Sequence, residues 1–304
     1  MSIKIKNASM LFAAAFIWGT AFVFQSKAND YMQPFTFSAA RCILGAIVLL
    51  PFILLKYFKP KSKAKKYFSL KTSVIGGVCC GIALTAASVL QQYGVKYTSV
   101  GKAGFITTLY IIFTPILGIL IKKKCPWTVW ISAIVAAIGL YLLCMTESFS
   151  LSYGDILVLI CAILFSVHIL VIDYFSDKAD GLIVACVQLF VCFIISSILA
   201  LIFDKPTFTQ IQNGILPILY AGIMSSGVAY TLQVLGQKNF NPTAAAIILS
   251  LESVVSAVAG YFAYIFGFLT NDQSLTYIQI IGCIIVFIAV IFAQLPITKA
   301  QRKN

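Results

Sequence analysis

The stretch NPTAAAIILSLESVVSAVAG, residues 241 to 260, places one carboxylate, Glu252, inside an apolar run long enough to cross a membrane. A charge at the centre of a membrane helix costs roughly 2.5 to 3.5 kcal/mol on insertion scales, so such an acid is expected to face a protein interior or a water-filled cavity. Small residues such as Ala244, Ser250 and Gly260 surround it and let helix backbones approach closely. The stretch therefore predicts a central helix with Glu252 at a functional site.

The whole chain has the composition of a membrane protein. Of its 304 residues 61% are hydrophobic and 10% are charged, whereas soluble domains average about 25% charged. Its mean hydropathy is +0.98. Continuous apolar runs, without the alternation of a lipid-facing barrel, argue for helices of about 20 residues each. We predict an all-α polytopic membrane protein with ten transmembrane helices, near residues 8–27, 34–55, 72–92, 101–121, 128–146, 154–174, 181–203, 214–234, 242–265 and 276–295.

The basic residues predict the orientation. One side of the predicted helices carries 17 lysines and arginines and the other carries 4, so both termini are expected in the cytoplasm, in a multi-pass protein of the plasma membrane. The net charge of +13 does not indicate a nucleic-acid partner, because no soluble face displays it. The segment 56–71, KYFKPKSKAKKYFSLK, is either a topology anchor or a site for anionic lipid near Lys56 and Lys71.

Two halves of the chain, residues 1–150 and 151–304, are similar. FAAAFIWGTAFV at 12–23 aligns with LICAILFSVHIL at 159–170, an offset of 147 that sets Arg41 against Gln188. YGVKYTSVGKAGFITTLY at 93–110 aligns with LGQKNFNPTAAAIILSLE at 235–252, an offset of 142 that sets Tyr110 against Glu252. Because each half holds five spans, the second half must be inserted upside down. Two inverted five-helix repeats are typical of secondary transporters, with the site near the midplane.

These residues resemble the drug/metabolite transporter superfamily, EamA type, over nearly the whole chain. The matching stretches are Trp18-Gly19, Arg41, GVKYTSVGKAGFITTLY at 94–110, Pro115, Gly139, AYTLQVLGQKNFNPTAAAIILSLE at 229–252 and the region of Gly282. The resemblance implies a central cavity between two inverted halves and the movement, often outward, of small solutes such as amino acids. Leu251-Glu252-Ser253 stands where that family commonly has Leu-Glu-Pro, which leaves a kink at this point open.

Arg41 and Glu252 are the charged candidates within the spans. Arg41 lies about 10 Å from the outer end of its span and Glu252 about 15 Å from the inner end of its own, so their levels differ by about 5 Å in a core of about 30 Å. A salt bridge between them is allowed by depth. Either they form a permanent ion pair that joins two helices, or Glu252 exchanges a proton or binds a substrate amine during turnover.

Polar and aromatic side chains in the spans complete the predicted substrate-binding set, which is Trp18, Gln91, Tyr110, His168, Tyr230, Gln233 and Glu252. For each of them the alternative is ordinary packing or interhelical hydrogen bonding. His168 also begins HILVID, an H-x4-D pattern found in acyltransferases. Residues five apart on a helix point about 140° away from each other, so His168 and Asp173 should not form a dyad.

We therefore expect a secondary transporter that moves a small metabolite outward by alternating access, around a cavity lined by spans 1, 3, 4, 6, 8 and 9. The sequence has no P-loop, so a gradient should supply the energy. We predict no enzymatic activity, cofactor or metal site, since nine cysteines and one histidine form no ligand pattern. A homodimer is allowed. The alternatives are a membrane-embedded enzyme, such as an acyltransferase, and a non-transporting scaffold; only a transporter requires Arg41 and Glu252 to face one central void.

Overall fold

The computed structural model describes residues 3–58, 68–123, 126–144, 152–270 and 273–294. Every regular element in these ranges is a helix, as predicted. The ten main helices are α1 Ile3–Ala28, α2 Pro34–Phe58, α3 Leu70–Tyr97, α4 Val100–Leu120, α5 Trp127–Cys144, α6 Tyr153–Phe175, α7 Gly181–Asp204, α8 Ile215–Gly236, α9 Pro242–Ile265 and α10 Tyr277–Gln294. Eight of them are long and apolar enough to cross a membrane, and α5 and α10 are shorter apolar helices.

The helices of the two halves pack in a matched pattern. Helix α1 packs against α9 as α6 packs against α4, and α3 packs against α6 as α8 packs against α1. Three helix pairs, α2 with α7, α4 with α9 and α5 with α10, consist of equivalent helices that contact each other. Exchanging the halves leaves this pattern unchanged, which is the property of a twofold axis. With five crossings in each half, that axis lies in the plane of the membrane.

Close backbone approach places Glu252 and Tyr110 beside this axis. A Cβ atom on Gly19 of α1 would lie 2.7 Å from the carbonyl oxygen of Glu252, so α1 and α9 can pack this tightly only with glycine at that position. The equivalent contact in the other half is a hydrogen bond, in which Ser166 Oγ of α6 donates to the Tyr110 carbonyl at 3.3 Å. The α1–α9 contact and its equivalent, the α6–α4 contact, are therefore both close, the first at a glycine and the second at a serine.

Helix α9 is interrupted just before Glu252, although the chain has no proline there. Ser250 ends one helical segment and begins the next, with ψ at −14°. The hydroxyls of Ser250, Ser253 and Ser256 each donate to the carbonyl three residues earlier at 2.7 to 2.8 Å. Such bonds to the helix backbone bend helices, so serines provide the break that the sequence left open. Helix α4 is interrupted at Leu109, one residue from the position equivalent to Ser250.

Lysines are concentrated on one face of the molecule, where α2 meets α3, α4 meets α5, α6 meets α7 and α8 meets α9; we call it the lysine-rich face. There Lys56 forms an ion pair with Asp180, and Lys123 Nζ lies 2.5 Å from Asp173 Oδ2. Lys71 is exposed. Residues 59–67 lie outside the described residues, so anionic-lipid binding by the segment from Lys56 to Lys71 stays a prediction.

Candidate functional site

A cavity lies between the halves, and seven of the eight predicted site residues line it. They are Trp18, Arg41, Gln91, Tyr110, Tyr230, Gln233 and Glu252. Sequence reasoning missed the other lining residues, which are Phe22, Gln25, Phe165, Ile169, Ser225 and Leu249. The lining comes from the six predicted spans and also from α2, which carries Arg41. The free volume is about 30 Å³, enough for about one or two water molecules.

Many lining residues form pairs that the repeat relates. Trp18 and Phe165 differ by the offset of 147, as do Phe22 and Ile169; Gln91 and Gln233 differ by 142, as do Tyr110 and Glu252. Equivalent residues can line one small cavity only where the twofold axis passes through it. The cavity is therefore shared by the two halves at their symmetry axis, which is where transporters with inverted repeats place the site.

Glu252 and Tyr110 meet at this axis. Tyr110 Oη donates a hydrogen bond to Glu252 Oε1 at 3.0 Å, and both side chains are buried. A phenol hydroxyl has one proton to donate, so this bond fixes one carboxyl oxygen and leaves the acceptor capacity of the other for a ligand or a proton. The arrangement orients Glu252 within the cavity wall.

Arg41 is 1% exposed, yet it forms no ion pair with Glu252 in the structure. Its guanidinium carbon lies 5.6 Å from the centroid of the Phe37 ring, and its Nε has no hydrogen-bond partner among the described residues. The depth estimate that allowed the pair did not fix the separation across the membrane plane, and α2 packs mainly on α7 and α8 rather than on α9. Both charged side chains line one cavity without neutralising each other directly.

Trp18 and Tyr230 form an aromatic wall of the cavity. Their ring centroids are 4.8 Å apart with an interplanar angle of 57°. Trp18 Nε1 donates to the Ser225 carbonyl at 3.2 Å. Ser225 belongs to a π-helical segment of α8, Tyr220–Ala229. π-helical turns are uncommon and occur frequently at functional sites. This wall can contact the apolar part of a solute.

His168 lies behind the cavity wall rather than in it. Its Nε2 is 3.0 Å from Gln188 Oε1, and its ring forms a T-shaped contact with the Tyr230 ring, with centroids 6.1 Å apart. The structure thus shows His168 in an interhelical hydrogen bond. Asp173, the other residue of the H-x4-D pattern, pairs with Lys123, so the acyltransferase dyad is not formed.

Two amide side chains present unpartnered oxygens at the cavity. Gln233 Oε1 and Gln25 Oε1 are buried and have no hydrogen-bond partner among the described residues, whereas Gln91 Nε2 donates to Thr107 Oγ1 at 3.2 Å. Spacing could have identified Gln25, because it lies seven residues after Trp18 and so on the same face of α1. Buried amides normally find partners. These two oxygens are therefore exceptions among the buried polar groups of the lining.

Neither metal site nor disulfide occurs in the part of the chain that the structure describes. No group of three or more histidine, cysteine or acidic side chains there could hold a metal ion, and the cysteines there are free. The chemistry that the cavity offers is binding, through one guanidinium, one carboxyl, amide oxygens and aromatic rings.

Two inverted halves around a cavity on their symmetry axis define a class of membrane transporter. The EamA-like transporter family model matches the chain twice, over residues 6–145 and 152–294. The chain therefore belongs to the EamA-like transporter family, as its sequence motifs predicted. A relative from Archaeoglobus fulgidus, described as an uncharacterized transporter, is 31% identical over 284 residues, which are 93% of this chain and 84% of that protein. One solved crystal structure is 15% identical with a TM-score of 0.72, and the match covers 95% of this chain and 96% of that one.

Proposed function

We propose that this protein is a secondary transporter that moves a small zwitterionic metabolite, an amino acid or a related solute, out of the cell by alternating access. The observation that carries the proposal is the state of Arg41, a buried cation that has no ion pair among the described residues and lines the same cavity as the carboxyl of Glu252. Burying an unpaired charge is costly. A ligand that brings an anionic and a cationic group can pair with Arg41 and Glu252 at once.

The chemistry of the lining fits such a ligand. The planar guanidinium of Arg41 can hold a carboxylate through two parallel hydrogen bonds. The carboxyl of Glu252 and the amide oxygens of Gln25 and Gln233 accept hydrogen bonds, as an ammonium group requires. The Trp18 ring offers an apolar surface for a side chain. This donor set favours an amino acid over a simple anion or a simple amine.

Transport requires the halves to move. A free volume of about 30 Å³ holds a water molecule or two and is too small for an amino acid, so the cavity must widen towards one face and then the other. Because equivalent residues of the two halves line it, exchanging their conformations converts a state open to one face into a state open to the other. The lysine-rich face is the cytoplasmic one in this proposal, following the positive-inside distribution.

The test is a flux assay on purified protein in liposomes, with and without an imposed pH gradient. A panel should contain neutral amino acids, each with its decarboxylated amine and its deaminated acid. We expect the zwitterion to be transported and both analogues to be transported poorly. Equal flux of the amine or of the acid would overturn the zwitterion assignment.

Glu252→Gln should abolish this transport or its pH dependence, because the variant keeps the shape of the side chain and removes the charge. The matched control is Asp30→Asn, an acid whose side chain is 57% exposed in an ion pair with Lys27. Both variants should reach the membrane in equal amounts. Wild-type flux and pH dependence in Glu252→Gln would exclude the proposed role.

A further inference from the structure

An apolar groove runs along the outside of α5, where it meets α4. Its volume is about 380 Å³, far larger than the free volume of the central cavity. Ala133 and Ala137 form its floor, Ile112 of α4 and two isoleucines of α5 form its walls, and Trp130 and Tyr141 lie at its two ends. Ile134 and Ile138, those two isoleucines, are 57% and 52% exposed. The groove contains no charged residue, so it faces the hydrocarbon of the bilayer.

The length of the groove matches one leaflet. Trp130 and Tyr141 are eleven residues apart on α5, which is about 16 Å at 1.5 Å per residue. Half of a hydrocarbon core of about 30 Å is about 15 Å. Trp130 lies one turn from the start of α5 at Trp127, on the lysine-rich face. The groove therefore extends from that face through the depth of the adjacent leaflet.

Positive charge lies at the end of the groove where a lipid headgroup would be. The connection from α4 to α5 carries Lys122 and Lys123, both exposed. Lys123 pairs with Asp173, and Lys122, at φ 59°, has no ion pair among the described residues. Trp127 is 60% exposed beside them, a position typical of aromatic residues at the membrane interface. Anionic headgroups are attracted to such lysines.

We propose that the groove between α4 and α5 binds one acyl chain of an anionic phospholipid from the leaflet on the lysine-rich face, with the phosphate against Lys122. A helix from a second copy fits less well. A helix with its side chains is about 10 to 12 Å wide, and close helix packing in lipid needs small residues at the surface. Here the alanines form the floor, while isoleucines and Trp130 stand above them and keep another backbone away.

The second half of the chain lacks the positive charge of this site. The connection from α9 to α10, residues 266–276, contains no lysine or arginine, whereas its equivalent carries three consecutive lysines, 122 to 124. Symmetry of the repeat therefore does not explain the charge. The site is also close to the central cavity along the chain, because Ile112 lies two residues after Tyr110, which holds Glu252.

Quenching of tryptophan fluorescence by brominated phospholipids tests the proposal. The chain has three tryptophans, so Trp18→Phe with Trp127→Phe leaves Trp130 in the groove, and Trp18→Phe with Trp130→Phe leaves Trp127 at the interface as a control. Both proteins are placed in phosphatidylcholine bilayers with rising fractions of brominated phosphatidylglycerol or brominated phosphatidylcholine. We expect half-maximal quenching of Trp130 at an about fivefold lower fraction of the anionic lipid, the effect of about one lysine. Trp127 should follow the bulk composition.

Two variants of the Trp130 protein separate a built site from general lipid contact. Lys122→Ala should remove the preference for the anionic lipid, while Lys71→Ala, on the same face but away from the groove, should leave it unchanged. Ala137→Phe should fill the groove and abolish the preference, while Ile131→Phe, on α5 outside the groove, should not. Because Lys122 is exposed, its variant tests the proposal even if Ala137→Phe fails to fold.

Three outcomes would overturn the assignment. Quenching of Trp130 that follows bulk composition for both lipids would show that no chain is held. An unchanged preference for the anionic lipid in Lys122→Ala would show that Lys122 does not bind the headgroup. Light scattering is compared between the wild type and Ala137→Phe. A dimeric wild type with a monomeric Ala137→Phe variant would assign the groove to a second copy of the chain. None of these results depends on transport, so the lipid site and the proposed function can fail separately.

Discussion

Giving Gln233 a hydrogen-bond partner should weaken substrate binding. Gln91 and Gln233 are equivalent in the repeat, but Gln91 donates to Thr107 Oγ1 at 3.2 Å, whereas Leu249 occupies the position equivalent to Thr107 and lines the cavity beside Gln233. Leu249→Thr would offer a hydroxyl to Gln233 Oε1. A neutral hydrogen bond contributes about 0.5 to 1.5 kcal/mol net. If substrate must displace it, the KM should rise about two- to tenfold.

Leu249→Val is the matched control for this variant. Leu249 is 1% exposed, so both substitutions remove part of a buried side chain and should cost a similar stability, roughly 1 kcal/mol or more. Only threonine adds a hydroxyl. Initial uptake rates in liposomes, measured over a range of concentrations of the substrate that the flux panel identifies, give the KM of each variant, and unfolding midpoints show whether the two are equally stable.

The comparison between threonine and valine decides the result. A higher KM in the threonine variant alone would support Gln233 as a substrate ligand. Equal KM values in the two variants, even if both differ from the wild type, would refute the reasoning, because the shared loss of apolar volume would then explain the whole effect.

Two further predictions concern the charged residues of the cavity and the close contact between α1 and α9. Arg41→Leu should reduce transport, and adding Glu252→Gln should not restore it, because the structure has no ion pair between the two residues; a double variant more active than Arg41→Leu alone would show that the two charges pair. Gly19→Ala should lower stability by about 1 to 3 kcal/mol, since its Cβ would lie 2.4 Å from Val255 Cβ, while Gly101→Ala, with nothing within 4 Å, should keep the wild-type thermal midpoint.

Hydropathy and the repeat predicted most of the fold. Membrane helices satisfy their own backbone hydrogen bonds, so apolar length largely determines where they lie. The predicted span ends agree with those of α1 to α10 to within five residues, except that the predicted ends at 146 and 295 lie outside the described residues. The repeat offsets of 147 and 142 predicted contacts correctly, although few residues are identical between the two halves. They paired Tyr110 with Glu252, and these side chains meet at 3.0 Å, because equivalent residues beside a twofold axis must be neighbours.

The contacts across the cavity could not be predicted in the same way. Depth along a helix follows from residue counting, but the distance between two helices in the membrane plane depends on packing, so the sequence allowed an Arg41–Glu252 pair that does not form. His168 shows the same limit. The sequence does not determine whether its side chain points from α6 into the cavity or towards Gln188. The sequence also left open whether α9 is kinked, because Ser253 stands where the family commonly has proline. In the structure the serine hydrogen bonds accompany the break instead.

The symmetry of the cavity must be broken at its axis, and the sequence shows where. Because Tyr110 and Glu252 are equivalent and their side chains meet, a perfectly repeated sequence would place two acids across the axis of a buried site, where each carboxylate disfavours ionisation of the other. The Tyr110 hydroxyl opposite Glu252 avoids this repulsion, because it is uncharged and donates a hydrogen bond to the acid. Arg41 follows the same rule, since its equivalent is the uncharged Gln188. Each half thus contributes one of the two ionisable groups, so the cavity offers a ligand a cation from the first half and an acid from the second.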